Sequence, residues 1–176
     1  MSNAMTKLTR DKFIPFLDVD KDSTFAANDW KRIDYSTIFE LTMNEQEEDM
    51  DYICYANAVT EINSNKPELP QEIALYEGNP MYDFMINEFY NMPTGADVKV
   101  PFLILFGGTA KKAWRGMATI TSKVLNTVDG KITFSMKMGG DIKKGTYTIT
   151  EGVPTFVPAT SSTPSSNLSG NTGSGN

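Results

Sequence analysis

Apolar and polar side chains alternate with a period of two on both sides of the pair Asp129-Gly130, and this pattern limits the fold more than any other feature of the chain. In residues 112–128, Trp114, Ala118, Ile120 and Val124 fall on one side, while Arg115, Thr119, Thr121 and Lys123 fall on the other. After Asp129-Gly130, Ile132, Phe134, Met136 and Met138 alternate with Lys131, Thr133, Ser135 and Lys137. A period of two belongs to a half-buried strand. An Asp-Gly pair between two such runs predicts a hairpin with a tight primed turn, which needs positive φ at both central residues.

The same pattern recurs upstream. Ile33, Tyr35, Thr37, Phe39, Leu41 and Met43 alternate with mostly polar neighbours, which predicts a long strand over 31–43. Glu45 to Asp51 is strongly acidic and is expected to be the solvated tip of a hairpin whose return strand is Tyr52 to Ala56. Residues 63–70 hold Pro67 and Pro70 and read as a loop, followed by a short strand from Glu72 to Tyr76. Val98, Val100, Phe102, Ile104 and Phe106 make one apolar face, and Leu103 and Leu105 make the other apolar too. That strand is expected to be central, covered on both sides. Gly139-Gly140-Asp141 reads as a turn before a last strand at 146–150. Strands 31–43 and 112–128 exceed the roughly five or six residues typical of a small sandwich, so they are expected to need a partner outside the subunit.

One helix stands out. Asn79-Pro80 offers an N-cap followed by proline at the first helical position. Met81, Phe84, Met85, Phe89 and Met92 follow at helical spacing, as a core-facing stripe in preference to a binding groove, and Pro93 ends the run. The expected fold is mainly β: an antiparallel β sandwich or barrel-like sheet with one flanking α-helix.

Composition then removes whole classes of chemistry. Among 176 residues there is no histidine and one cysteine, Cys54. Ser-His-Asp and Cys-His nucleophiles, histidine-ligated zinc, four-cysteine zinc and an internal disulfide are all excluded. Cys54, inside an expected strand, reads as a small buried hydrophobe. The net charge of −6 makes the chain a poor binder of phosphate backbones. The charge is also divided: residues 1–88 carry 18 acidic and 7 basic side chains, residues 89–176 carry 4 and 9. Two solvated faces would account for this, as would subunits that associate head to tail. No apolar run is long enough for a membrane-spanning helix, and the N-terminus lacks the basic-then-apolar pattern expected of a secretory signal.

The chain divides into a tag remnant at 1–4, an arm or short strand at 5–30, a β domain at 31–158 and a Ser/Thr/Gly-rich tail at 159–176. The tail is expected to be flexible, because Leu168 is its only large apolar side chain.

Several motifs imitate known sites. Asp18, Asp20, Asp22 and Asp29 match positions 1, 3, 5 and 12 of a calcium loop, but Ser23 stands where glycine is needed and Pro15 spoils an entering helix. A solvated acidic arm is the plainer account. Gly107-Gly108-Thr109-Ala110-Lys111-Lys112 lacks the spacing of a phosphate loop, and a strand, not a helix, follows it. The carboxylates at 45–51 read as solvated in preference to an acid–base pair. Asn167-Leu168-Ser169 matches a glycosylation sequon, discounted without a secretory signal. The reading therefore assigns no catalytic, cofactor-binding or metal-ligating residue.

The order of elements, with particular local runs, resembles a known family. The runs are Trp30-Lys31-Arg32-Ile33 with Ser36-Thr37-Ile38-Phe39, Gly78-Asn79-Pro80-Met81-Tyr82-Asp83-Phe84, Phe89-Tyr90-Asn91-Met92-Pro93-Thr94-Gly95, Lys131-Ile132-Thr133-Phe134, Gly145-Thr146-Tyr147-Thr148-Ile149 and Gly152-Val153-Pro154-Thr155-Phe156. Over about residues 30–158 the chain resembles the major tail tube proteins of long-tailed bacteriophages and prophages. The resemblance implies a structural, non-enzymatic virion protein with a two-sheet sandwich and a flanking helix. It also implies self-assembly into hexameric rings that stack into a conduit for DNA. The expected partners are other copies, other tail proteins and DNA as passing cargo, with no membrane and with synthesis in the bacterial host cytoplasm. The alternatives are another β-sandwich virion or secretion-needle tube protein, or a small-ligand or calcium-binding β domain. On the tube account the loop at 44–51 and the long strands are the expected inter-subunit contacts.

Overall fold

A computed structural model describes residues 5–26 and 29–159. Residues 1–4, read above as a tag remnant, two residues of the acidic loop and the tail beyond Ala159, expected to be flexible, lie outside the described residues. The fold is mainly β with a single α-helix, and its antiparallel sheet nearly closes into a barrel. The strands are β1 (Ile14–Asp18), β2 (Trp30–Arg32), β3 (Glu45–Met50), β4 (Val59–Asn65), β5 (Glu68–Ala74), β6 (Lys99–Leu105), β7 (Lys112–Asn126), β8 (Lys131–Thr150) and β9 (Val153–Pro158). The helix, α1, spans Pro80–Asn91 between β5 and β6. The main sheet runs β2-β1-β6-β7-β8-β5, with β9 added beside the second half of β8. β3 and β4 pair only with each other.

β6 lies between β1 and β7, and both of its faces are covered, as its two-sided apolar pattern requires. Val100, Phe102 and Ile104 join the main core with Leu17, Ile73, Ile120, Phe134 and Met136. Leu103 and Leu105 form a second cluster with Phe16 and Ala113, against which Trp30, Tyr147 and Phe156 pack. The helix begins where the capping signal puts it: the Asn79 side chain accepts from the Met81 amide at 3.0 Å. Met81, Phe84 and Met85 enter the main core, but Phe89 is only partly buried and Met92 is 77% exposed in a left-handed cap.

Several expectations are corrected. The long strand over 31–43 does not form. β2 stops at Arg32, and Tyr35 adopts a left-handed φ of 57°. Residues 33–44 instead run along the free edge of β5: the Thr37 amide donates to the Glu72 carbonyl at 2.9 Å, and the Thr42 amide to the Glu68 carbonyl at 3.0 Å. This segment closes the seam between β2 and β5. Its alternation is real, because Ile33, Phe39 and Leu41 pack on the core, but the ladder is broken. β5 starts at Glu68, so the prolines at 67 and 70 do not make a loop. Pro70 sits between Glu68 and Glu72 on the irregular seam, where a missing amide is tolerated.

The turn expected at Gly139-Gly140-Asp141 is also absent. β8 continues unbroken for 20 residues, with Gly140 at φ 69° inside a bulge opposite Arg115–Met117. β8 is thus the internal partner of β7, and β7 does not need one outside the subunit. At the other end of this pair, residues 127–130 form a four-residue loop in which Gly130 alone has positive φ. The Asn126 side chain accepts from the amides of Val128 and Asp129, which replaces the expected primed turn. A further bulge at Ser122 (φ 54°) turns Val124 outward, to 54% exposure, and Lys123 toward α1. One inserted residue flips every later side chain, which is why the inward assignment of Val124 fails.

Candidate functional site

The acidic run Glu45–Met50 is a strand, β3, and not a hairpin tip. It pairs antiparallel with β4 from Glu45↔Asn65 to Met50↔Val59, with an extra residue at Asn63. Local polar pairs support the ladder. Thr60 donates to Asp49 at 2.7 Å, Asn63 to Glu48 at 2.9 Å, and Lys66 reaches Gln46 at 2.9 Å. The expected strand 52–56 is the connecting turn, where Tyr52 and Tyr55 meet edge to face. Cys54 is exposed in that turn, which corrects its assignment as a buried hydrophobe. Every residue of β4 is exposed, and Ile53, Val59 and Ile62 are exposed with it. The hairpin therefore projects from the barrel and buries little against it.

Among the described residues no ion pair engages Glu45, Glu47, Glu48, Asp49 or Asp51. Five carboxylates within seven residues repel one another, and an isolated two-stranded hairpin is at best marginally stable in water.

In the loop after β1 that imitates a calcium site, the carboxylates of Asp18 and Asp22 are turned to the backbone, and that of Asp29 pairs with Lys31 at 2.8 Å. Asp18 is fully buried and accepts from the amides of Asp22 and Asp29, each at 2.8 Å. Asp22 accepts from the amides of Thr24 and Ala26 at 2.9 and 3.0 Å. The same loop brings Phe25 beside Arg115 of β7. There the Arg115 guanidinium lies 4.6 Å from the centres of both the Phe25 and Phe156 rings. Burial holds the Arg115 pKa below its ordinary value. At the second imitation site, Gly107 packs against Lys12 so closely that a Cβ would overlap its side chain. Gly107 and Gly108 serve the contact between the N-terminal segment and the β6–β7 turn.

Two polar clusters are not visible in the sequence. Glu88 on α1 is 6% exposed and meets Lys21 at 2.5 Å and Lys123 at 3.6 Å. Lys21 also donates to the Asp97 carbonyl at 2.7 Å, and Lys123 to the Glu88 carbonyl at 3.3 Å. One carboxylate thus ties the acidic loop, the helix and β7 together across separations of 67 and 35 residues. On the seam, Glu72 accepts from Thr37 at 2.6 Å and pairs with Lys131 at 2.7 Å. The hydrogen bonds from Lys131 and then Thr37 lower the Glu72 pKa, and Glu72 raises that of Lys131.

No protein-family model matches the chain, and no curated protein matches it. Among solved structures, a chain in the six-fold symmetrised baseplate of the anti-feeding prophage is similar over 83% of this chain and 98% of its own length, at 8% sequence identity and a TM-score of 0.42. Likeness of that degree fixes neither fold nor role. No helix among the described residues is long and apolar enough to cross a membrane.

Proposed function

We propose that this chain is a structural, non-enzymatic subunit of a phage-type tail tube, assembling into stacked, hexameric rings that form a conduit for DNA. The observation that carries the reading is the hairpin β3–β4, which projects from a nearly closed barrel and, among the described residues, leaves its acidic strand, apolar side chains and both edges uncovered. Open strand edges are a hazard in a free protein and an asset in a subunit that must pair with others. A protruding element that fits elsewhere on the next copy makes a heterologous contact, and such contacts propagate into rings or filaments. The sequence resemblance over residues 30–158 supports the same reading, as does a residue inventory without histidine or a second cysteine. Net charge −6 favours a passage to which DNA does not adhere. The partners are then other copies and other tail proteins, in the virion.

Negative-stain electron microscopy of the concentrated protein tests this. The full chain is expected to give rings or tubes, and a variant with residues 45–65 replaced by a short Gly/Ser linker is expected to keep a cooperative thermal unfolding transition and give none. Compact particles from the full chain at every concentration, or identical tubes from the shortened chain, would refute the proposal.

A further inference from the structure

Resting on that reading, we propose that the hairpin's receptor is a basic groove on the outer face of β6–β7–β8 of the next copy, joined through carboxylate–lysine pairs. Lys99, Thr119 and Lys137 form one rung across the three strands. Their neighbours Ala118, Met136 and Met138 are buried in the main core, so this rung faces the other way. The groove has a volume of about 500 Å³, bounded by Phe25, Lys99, Met117, Thr119, Lys137 and Asp141. Gly139 and Gly140 add no side chains to it, which leaves room for an incoming strand. Its one carboxylate, Asp141, is paired with Lys143. Among the described residues no ion pair engages Lys99 or Lys137.

The spacing suits the occupant. Lys99 and Lys137 stand two strands apart, roughly 10 Å. Glu45, Glu47 and Asp49 share one face of β3 and repeat about every 7 Å along it, within reach of two flexible lysine side chains. Two sets of like charges, neither engaged in an ion pair among the described residues, are relieved together when one docks on the other. Phe25 and Met117 offer apolar contact to a neighbouring hairpin that exposes Val59 and Ile62.

The experiment compares the concentration threshold for tube formation among charge variants. K99E/K137E and E45K/E47K/D49K are each expected to raise the threshold at least about ten-fold while keeping the monomer's circular dichroism and Tm. The chain carrying both sets restores the pairing with signs exchanged and is expected to assemble again. Should K99E/K137E misfold, the milder K99Q/K137Q is read the same way. Wild-type tubes with no change of threshold in the groove variants would overturn the inference and leave the tube reading intact, whereas a wild-type chain that never assembles would overturn both. Duplex DNA bound by the wild type and released by K99E/K137E, with assembly unchanged, would reassign the groove to nucleic acid and also overturn it.

Discussion

Replacing Glu88 by glutamine tests the packing logic of the molecule. The carboxylate is 6% exposed and lies between Lys21, 27% exposed, and Lys123, 18% exposed. Glutamine keeps the volume but leaves two ammonium groups facing each other without a counter-charge. Removing one partner of a fully buried pair costs about 3–5 kcal/mol. Here both lysines are partly solvated and each keeps a backbone carbonyl acceptor, at 2.7 and 3.3 Å, so about 1–3 kcal/mol is expected. In a domain of this size each kcal/mol shifts Tm by about 2–4 °C, giving a fall of about 2–12 °C for Glu88→Gln. Thermal unfolding followed by circular dichroism measures it. The fall should persist in about 1 M salt, because an ion pair shielded from solvent is weakly screened. Lys21→Met combined with Glu88→Gln should be less destabilising than the sum of the two, since each change removes part of the other's penalty. A Tm within about 1 °C of wild type for Glu88→Gln would show that the cluster does not tie the loop and helix to the sheet.

Other outcomes follow from single contacts. At Gly145 an added Cβ would overlap the Val157 carbonyl oxygen and sit 2.8–2.9 Å from the Phe156 ring, so Gly145→Ala should displace β9 and cost about 1–3 kcal/mol in a urea titration. Gly130 has φ 62° and open space where a Cβ would stand, so Gly130→Val should cost roughly 1 kcal/mol through backbone strain, while Gly130→Asn, at home in that region, should cost less in the same titration. Because the Glu72 pKa lies below its ordinary value, its contribution to stability is complete above that ordinary value and is lost as pH falls through the lowered pKa. In an NMR titration Lys131→Met should move the Glu72 midpoint upward, and an unmoved midpoint would deny the pairing.

The parts of the fold legible in the sequence are those whose signal is local. The helix bounds can be read because Asn79, Pro80 and Pro93 act within one turn of its ends. The central place of β6 can be read because two apolar faces report burial directly. The parts that escape such reading depend on distant partners. Residues 33–44 alternate like a strand because they line the seam beside β5, yet alternation carries no information about the left-handed turn at Tyr35. β3 is a strand held by backbone bonds to β4 and buries almost nothing, so no hydrophobic pattern marks it. Gly139-Gly140 has the local chemistry of a turn, but pairing with β7 carries the chain through. Of the candidate site, the acidic run is plain in the sequence. Its projection on a hairpin, and the rung of Lys99, Thr119 and Lys137 across β6, β7 and β8, require strand registers, which no local pattern encodes.

Sedimentation velocity over a wide concentration range tests the central claim most directly. The account predicts a 19.5 kDa species at low concentration that gives way, above a threshold lowered by low salt, to large fast-sedimenting assemblies. A single 19.5 kDa species at every concentration and ionic strength would contradict it.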